Sequence, residues 1–271
     1  MEFINRSQAV KKTKLSYLGN INSSAKLVKN QKVSDNYTYI LYLAPAETSG
    51  YNTCLYSTPE WRLGCLSNSG RVKVEEYAGK SVIKKARVKK TKLFFEQQEF
   101  FMNWMIAEMK SYKKKAKKDN YFFSARLNGT SDIDWTEIRL NGQTIFEIFP
   151  DVQFYDYTKN FRMYNKQLPP NYHLTFSYSG RNEKKSLELL SKGFNVAVVF
   201  NSPEFPETWN GYPVVNGDLT DYRPLDGNGV VVGLKYKELA NKQINEQIKN
   251  SCFVVHTLKC PKQLKRFAKA S

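Results

Sequence analysis

Between residues 121 and 235 one pattern recurs: a short apolar run that ends at once in a cluster of polar side chains. The runs cover 121–127, 152–154, 172–176, 195–200, 213–215 and 230–234. An earlier one, 37–43, has the same aromatic and β-branched content and stops at Ala44-Pro45-Ala46. Apolar runs of this length bounded by turn residues predict buried strands. Other segments carry apolar positions at helical spacing. Leu93, Phe94, Phe101, Trp104, Met105, Ile106, Ala107 and Met109 predict one or two amphipathic helices over 84–118, and Leu187, Leu189 and Leu190 predict another over 182–193, ended by Gly193.

Strand, helix and strand at that spacing form a βαβ unit, which requires parallel strands and a right-handed crossover. Six or seven such strands predict an α/β fold, a partial or irregular (β/α) barrel with parallel strands, with a doubly wound sheet as the alternative. Residues 36–257 are expected to form this single domain. A polar helical region over 236–250 and a short strand over 252–256 close it. Residues 1–35, rich in Lys, Asn, Ser and Gln without periodicity, predict a basic, loosely ordered arm, and 258–271 a basic tail.

Composition then adds a partner class. At 271 residues with 41% hydrophobic content the chain can bury a full core. Its 42 Lys and Arg against 25 Asp and Glu give a net charge of +17, a field that attracts polyanions, so nucleic acid, DNA or RNA, is the expected partner. Lys113, Lys114, Lys115, Lys117 and Lys118 concentrate that charge at the end of a predicted helix, where they either complement the helix dipole or contact phosphates. No apolar run reaches the length of about 18 residues needed to span a bilayer, so no membrane association is expected. The polar first 30 residues do not read as a secretory leader, and a cytoplasmic location is expected. Cys54, Cys65, Cys252 and Cys260 are too few and too spread for a disulfide scaffold.

The polar clusters after the strands are where chemistry is expected, because a parallel α/β scaffold fixes strand ends and frees the loops beyond them. Arg126, Asn128, Thr130, Ser131 and Asp132 are the densest group. An Asn-Gly turn with positive φ at 128–129 would aim them into one volume able to hold a phosphate, a carboxylate or a metal-bound water. In 155–159, Tyr155 and Tyr157 share one face of a strand and Asp156 and Thr158 the other, so only one pair can face an interior. Either tyrosine can stack on a base or act as a nucleophile beside Lys159. Asp218 and Asp221 can join Asp132 and Asp156 as oxygen ligands for Mg²⁺ or Mn²⁺. Ser177 and Lys235 complete the expected mouth, Lys235 to steady developing negative charge. His173 reads as a core or supporting histidine. His256 with Cys252 and Cys260 lacks a zinc spacing. No phosphate-binding Walker loop, dinucleotide fingerprint or nucleophile elbow is present.

Several strings together resemble a family of phage and plasmid proteins similar to phage gene product eighty-eight: Lys90-Thr91-Lys92-Leu93-Phe94-Phe95, 126–132, 149–159, 171–177, 195–200, Thr208-Trp209-Asn210-Gly211-Tyr212-Pro213 and 230–235. The resemblance spans roughly 50–257 and implies a phage- or plasmid-encoded protein acting in the host cytoplasm. It also implies a cysteine cluster near the start, followed by an Asn-Thr-Ala-Gly-Arg-like segment. Here these are Cys54, Trp61 and Cys65, then 67–71, with Trp61 where a third cysteine is expected. Three cysteines ahead of a (β/α) barrel are similar to the layout of radical S-adenosylmethionine enzymes. With only Cys54 and Cys65 as candidate metal ligands, an iron–sulfur cluster needs a replacement ligand and is not expected. Three functions follow as expectations. The first is nucleic-acid binding, with processing or modification during replication. The second is a radical-S-adenosylmethionine-like or divalent-metal enzyme, and the third a non-enzymatic inhibitor of a host nuclease or defence complex, with a host protein as partner.

Overall fold

The computed structural model describes residues 6–22, 28, 31, 34–63, 65, 81–238 and 241–256. In chain order its elements are α1 (Arg6–Thr13), β1 (Gly19–Asn20), β2 (Asn36–Leu41), α2 (Pro59–Leu63), α3 (Val82–Glu96), α4 (Gln98–Lys118), β3 (Phe122–Arg126), β4 (Arg139–Leu140), β5 (Gln143–Thr144) and α5 (Ile145–Ile148). They continue with β6 (Gln153–Thr158), β7 (Tyr172–Ser177), α6 (Glu183–Ser191), β8 (Asn195–Phe200), β9 (Thr208–Trp209), β10 (Tyr212–Asn216), β11 (Val231–Lys235), α7 (Lys242–Lys249) and β12 (Val254–Val255).

One sheet runs β1-β2-β3-β6-β7-β8-β11-β10-β9. Every ladder from β2 to β10 is parallel, and only the two-residue edge strands β1 and β9 are antiparallel. The expected βαβ unit is β7-α6-β8, with Thr175 opposite Asn195. β12 pairs with Val199 and Phe200 of β8, beyond the residues β7 uses. The mostly parallel α/β sheet is therefore as the runs predict. Among the described residues no ladder joins its two edges, so a closed barrel is not formed by these strands.

Its two faces differ in chemistry, and strand alternation separates them. One is apolar. Tyr39, Leu41, Ala125, Phe154 and Leu174 pack with Phe94 of α3 and Phe101, Trp104, Met105 and Met109 of α4. Farther along, Phe176, Val196, Val198 and Val231 pack with Leu189 and Leu190 of α6. The opposite face presents Asn36, Thr38, Ser124, Arg126, Tyr155 and Tyr157. Several of these polar groups pair with one another: Asn36 Nδ2 donates to Ser124 Oγ at 2.9 Å, Thr38 and Ser124 hydroxyls lie 3.0 Å apart, and Tyr155 donates to Thr38 at 3.2 Å, while Asn36 Oδ1 and Arg126 Nε find no hydrogen-bond partner among the described residues. The connection from β10 to β11 covers them. It sets Asp221 Oδ2 2.8 Å from Arg126 Nη1, Tyr222 edge-on to Tyr155, and a fully buried Arg223 beside Asp226 at 3.0 Å.

The stretch expected to be a loose arm is, over 6–22, part of the core. Ala9, Leu15, Leu18 and Ile21 are buried, and β1 pairs with the end of β2. No local periodicity announces this, because the anchor is Glu108, about 90 residues away on α4. Its carboxylate accepts the Leu18 and Gly19 N–H groups at 2.9 and 3.0 Å and the Tyr39 hydroxyl at 2.8 Å, while Lys90 Nζ donates to the Leu18 carbonyl at 2.6 Å. Gly19 is required there, since a Cβ would lie 2.2 Å from the Tyr39 ring. Residues 258–271 lie outside the described residues.

Glu108→Ala strands three buried donors and leaves Lys90 without its nearby carboxylate. It is expected to lower unfolding free energy by about 3–5 kcal/mol in urea titrations. A loss below about 1 kcal/mol would show that the 14–22 segment is held by something else.

Candidate functional site

Loops after the parallel strands meet over the C-terminal ends of β2, β3, β6, β7, β8 and β11, and there they enclose a cavity of about 920 Å³. Backbone and side-chain bonds lace its wall. The Asp132 N–H donates to the Thr53 carbonyl at 2.8 Å, Thr130 Oγ1 to the Leu43 carbonyl at 2.5 Å and Thr53 Oγ1 to the Ala44 carbonyl at 2.7 Å. The loop after β2 and the loop after β3 therefore form one surface. Gly129 sits at their junction with its N–H 3.0 Å from the Leu41 carbonyl, where a Cβ would come within 2.6 Å of that same oxygen. Close approach explains this glycine. The positive φ expected for the Asn128-Gly129 turn is found at neither residue.

Of the residues singled out in the sequence, Cys54, Cys65, Arg126, Asn128, Thr130, Ser131, Asp132, Tyr157, Lys159, Ser177, Asp218 and Lys235 all line this cavity. Several are spent on the scaffold. Asn128 Oδ1 accepts from Ser131 Oγ, the Ile133 N–H and Trp135 Nε1 at 2.8, 3.0 and 3.2 Å, so it closes the turn. Asp218 accepts the Lys235 N–H at 2.8 Å, and Lys235 Nζ reaches the Pro203 carbonyl at 2.6 Å. Arg126 lies at the floor with its guanidinium over the Tyr157 ring at 4.8 Å. Burial opposes its charge, but Asp221, Tyr157, Tyr155 and Asp156 more than restore it, and its pKa is raised. Burial pushes the Tyr157 phenol up to about 12.

Tyr155 and Asp156 do not reach the cavity. Tyr155 lies deeper on the polar face, under Tyr222. Asp156 points the other way, accepting the Asn128 and Leu127 N–H groups at 2.8 and 3.3 Å and the Tyr172 hydroxyl at 3.3 Å. Asp132 accepts from Thr158 Oγ1 at 2.7 Å and from the Lys159 N–H at 2.9 Å. The four aspartates considered as metal ligands thus turn to different partners. Among the described residues no three His, Cys, Asp or Glu side chains are placed to share a metal ion.

Beside Asp132 lies the most unusual group. Lys159, 9% exposed, holds its Nζ 3.6 Å from the centre of the Trp61 ring, with Cys54 and Cys65 close enough to act on its charge. Burial lowers its pKa to about 8 against the pull of Asp132. Burial likewise pushes the Cys54 thiol up, favouring the neutral form. Trp61 therefore covers an amine where the resemblance implied a third cysteine. Residues 67–71 and Cys260 lie outside the described residues.

The lysine cluster is elsewhere. Asp119, at the end of α4, accepts from the Tyr37 hydroxyl at 3.0 Å at the start of β2, and Lys113 pairs with Asp151 just before β6. The cluster therefore sits at the N-terminal ends of the strands, a strand length of roughly 15–20 Å from the cavity. Sequence reasoning missed Lys14, Tyr17, Arg87, Lys90, Tyr236 and Lys237, which also line the cavity. Basic residues within a basic chain carry no local signal, and only the fold selects them. Among the described residues no helix is long and apolar enough to cross a membrane.

A family model described as Gene product 88 matches residues 10–255. No curated protein and no solved structure matches the chain.

The buried Asp156 carboxyl gives the site a pH signature. Burial raises its pKa from the ordinary 3.8 to about 7, with Arg126 opposing the shift. A carboxyl whose folded value exceeds its unfolded value favours folding most when protonated. Its contribution is complete below about pH 4, falls as pH rises towards 7 and is constant above. Subtracting the pH–stability curve of Asp156→Asn from that of the native chain should isolate this slope. Parallel curves between pH 4 and pH 7 would contradict it.

Proposed function

We propose that this chain, which belongs to the Gene product 88 family, binds nucleic acid and admits a nucleotide-bearing end into the cavity, where it is held for processing or modification in the cytoplasm of a phage or plasmid host. The observation that carries this is the cavity lining. Exposed Lys14, Lys235 and Lys237 stand at the rim, Arg126 and Lys159 stand within, and Trp61, Tyr157 and Tyr236 alternate with them. Cations that neutralise phosphates, interleaved with aromatic faces on which bases stack, are what single-stranded nucleic acid requires. The net charge of +17 supplies the long-range attraction that raises encounter rates.

The strand order also supports the partial-barrel form of the fold. β2, β3, β6, β7, β8 and β11 advance in one direction, as strands do around a (β/α) barrel. In a barrel of this order the polar face of β2, β3 and β6 would turn inward, and the cavity would correspond to the barrel mouth, the face at which such folds place their ligands.

Fluorescence anisotropy with a short labelled single-stranded oligonucleotide tests the proposal. Affinity should fall steeply with added salt, and Lys235→Ala with Lys237→Ala should reduce the log–log slope by about 1–2. Replacing Lys114, Lys117 and Lys118 by alanine, at the far pole, should change affinity for a short oligonucleotide by less than about threefold. Binding that ignores salt, or that is lost only with the far cluster, would overturn it.

A further inference from the structure

Among the described residues two lysines are buried, and they are not equivalent. Lys90 and Lys159 are 7% and 9% exposed. Lys90 is spoken for: its Nζ donates to the Leu18 carbonyl at 2.6 Å and lies within the field of Glu108. Lys159 Nζ has no hydrogen-bond acceptor among the described residues. Its neighbours are the Trp61 ring, the two thiols, and Asp132, whose oxygens already accept from Thr158 and from the Lys159 backbone. An indole face holds an N–H of either protonation state without occupying the nitrogen lone pair. The side chain is thus fixed in place, faces the cavity, and keeps its reactive electrons unengaged.

We propose that Lys159 is a nucleophilic amine that forms an imine with an aldehyde bearing a phosphate group. The inference rests on the cavity being an anion site, as above, but not on the anion being nucleic acid. The Lys159 lone pair adds to the carbonyl carbon, and the carbonyl oxygen takes a proton to give a carbinolamine. That hydroxyl leaves as water while the C=N bond forms and nitrogen loses its proton. Amine and aldehyde become imine and water, with no oxidant or reductant. Asp132, whose charge acts on the amine and whose carboxyl burial pushes up from the ordinary range, can give and recover the proton through an intervening water. The phosphate is met by the cations of the cavity, Arg126 at its floor and Lys235 and Lys237 at its rim.

The drop in the Lys159 pKa from 10.5 to about 8 adds a rate advantage. It raises the free-amine fraction at neutral pH on the order of a hundredfold over an ordinary lysine. Desolvated lysines are activated in this way.

Borohydride trapping on the full chain tests the proposal, with two phosphate-bearing aldehydes that stand for the two sources of this chemistry: glyceraldehyde 3-phosphate and a single-stranded oligonucleotide containing an abasic site. After reduction, peptide mass mapping reports where the adduct lies. Expected is an adduct at Lys159 with at least one probe, formed at least about tenfold faster than at Lys114 or Lys90 in the same digest, and lost in Lys159→Arg, which keeps the charge but not the free amine. The wild-type map decides even if that variant fails to fold. Labelling of Lys159 no faster than Lys114 with both probes would overturn the proposal. An adduct with glyceraldehyde 3-phosphate, together with no binding of intact oligonucleotide, would retire the nucleic-acid function and leave this one standing.

Discussion

The Arg126–Asp221 ion pair is the contact on which the cavity depends. A parallel sheet normally buries two apolar faces, and here one face is built from Asn, Thr, Ser, Arg and Tyr. Such a face is costly to bury unless most of its polar groups, and its charges above all, find partners. The β10–β11 connection provides the essential ones: Asp221 answers Arg126 at 2.8 Å and Tyr222 covers Tyr155. Because both charges are almost fully enclosed, losing either would leave the other stranded, a defect that costs several kcal/mol in other proteins. The floor of the cavity, its polarity and its depth are consequences of this one closure.

From that floor the site is assembled by neighbours far apart in sequence. The loop after β2 brings Cys54 and Trp61, the loop after β3 brings Thr130 and Asp132, and Lys159 follows directly on β6. Thr53, Thr130 and Asp132 tie the first two together through backbone carbonyls and amides. The outcome is an enclosed amine beside an indole and two cysteines, of which burial holds Cys54 in the neutral form. Basic side chains stand both at the cavity rim and at the end of α4, so a long polyanion could meet either group without reaching the other.

Apolar runs made the sheet legible, since every strand from β2 to β11 that carries the parallel ladders overlaps one, although β6 extends through most of the 155–159 cluster. The alternation in 155–159 correctly separates Tyr155 and Tyr157 from Asp156 and Thr158 but leaves open which pair faces inward. That choice depends on helices α3 and α4 covering the other side. The 14–22 segment was illegible because Glu108 and Lys90 hold it from a distance of more than 70 residues. The polar clusters after strands made one part of the cavity wall legible, whereas the part from 14–22 and α3 was not. What the clusters did not reveal is that Asn128 and Asp156 are consumed by the backbone, whereas Lys159 is not. Hydrogen-bond partners are a property of the fold, not of residue type.

Hydrogen–deuterium exchange of the full chain, with and without a short single-stranded oligonucleotide, tests most directly whether the cavity is the functional surface. The expected result is added protection in 126–132, 157–159 and 235–237, with 110–118 unchanged. Protection confined to 110–118, with the cavity loops exchanging as before, would contradict the account and place function at the opposite pole.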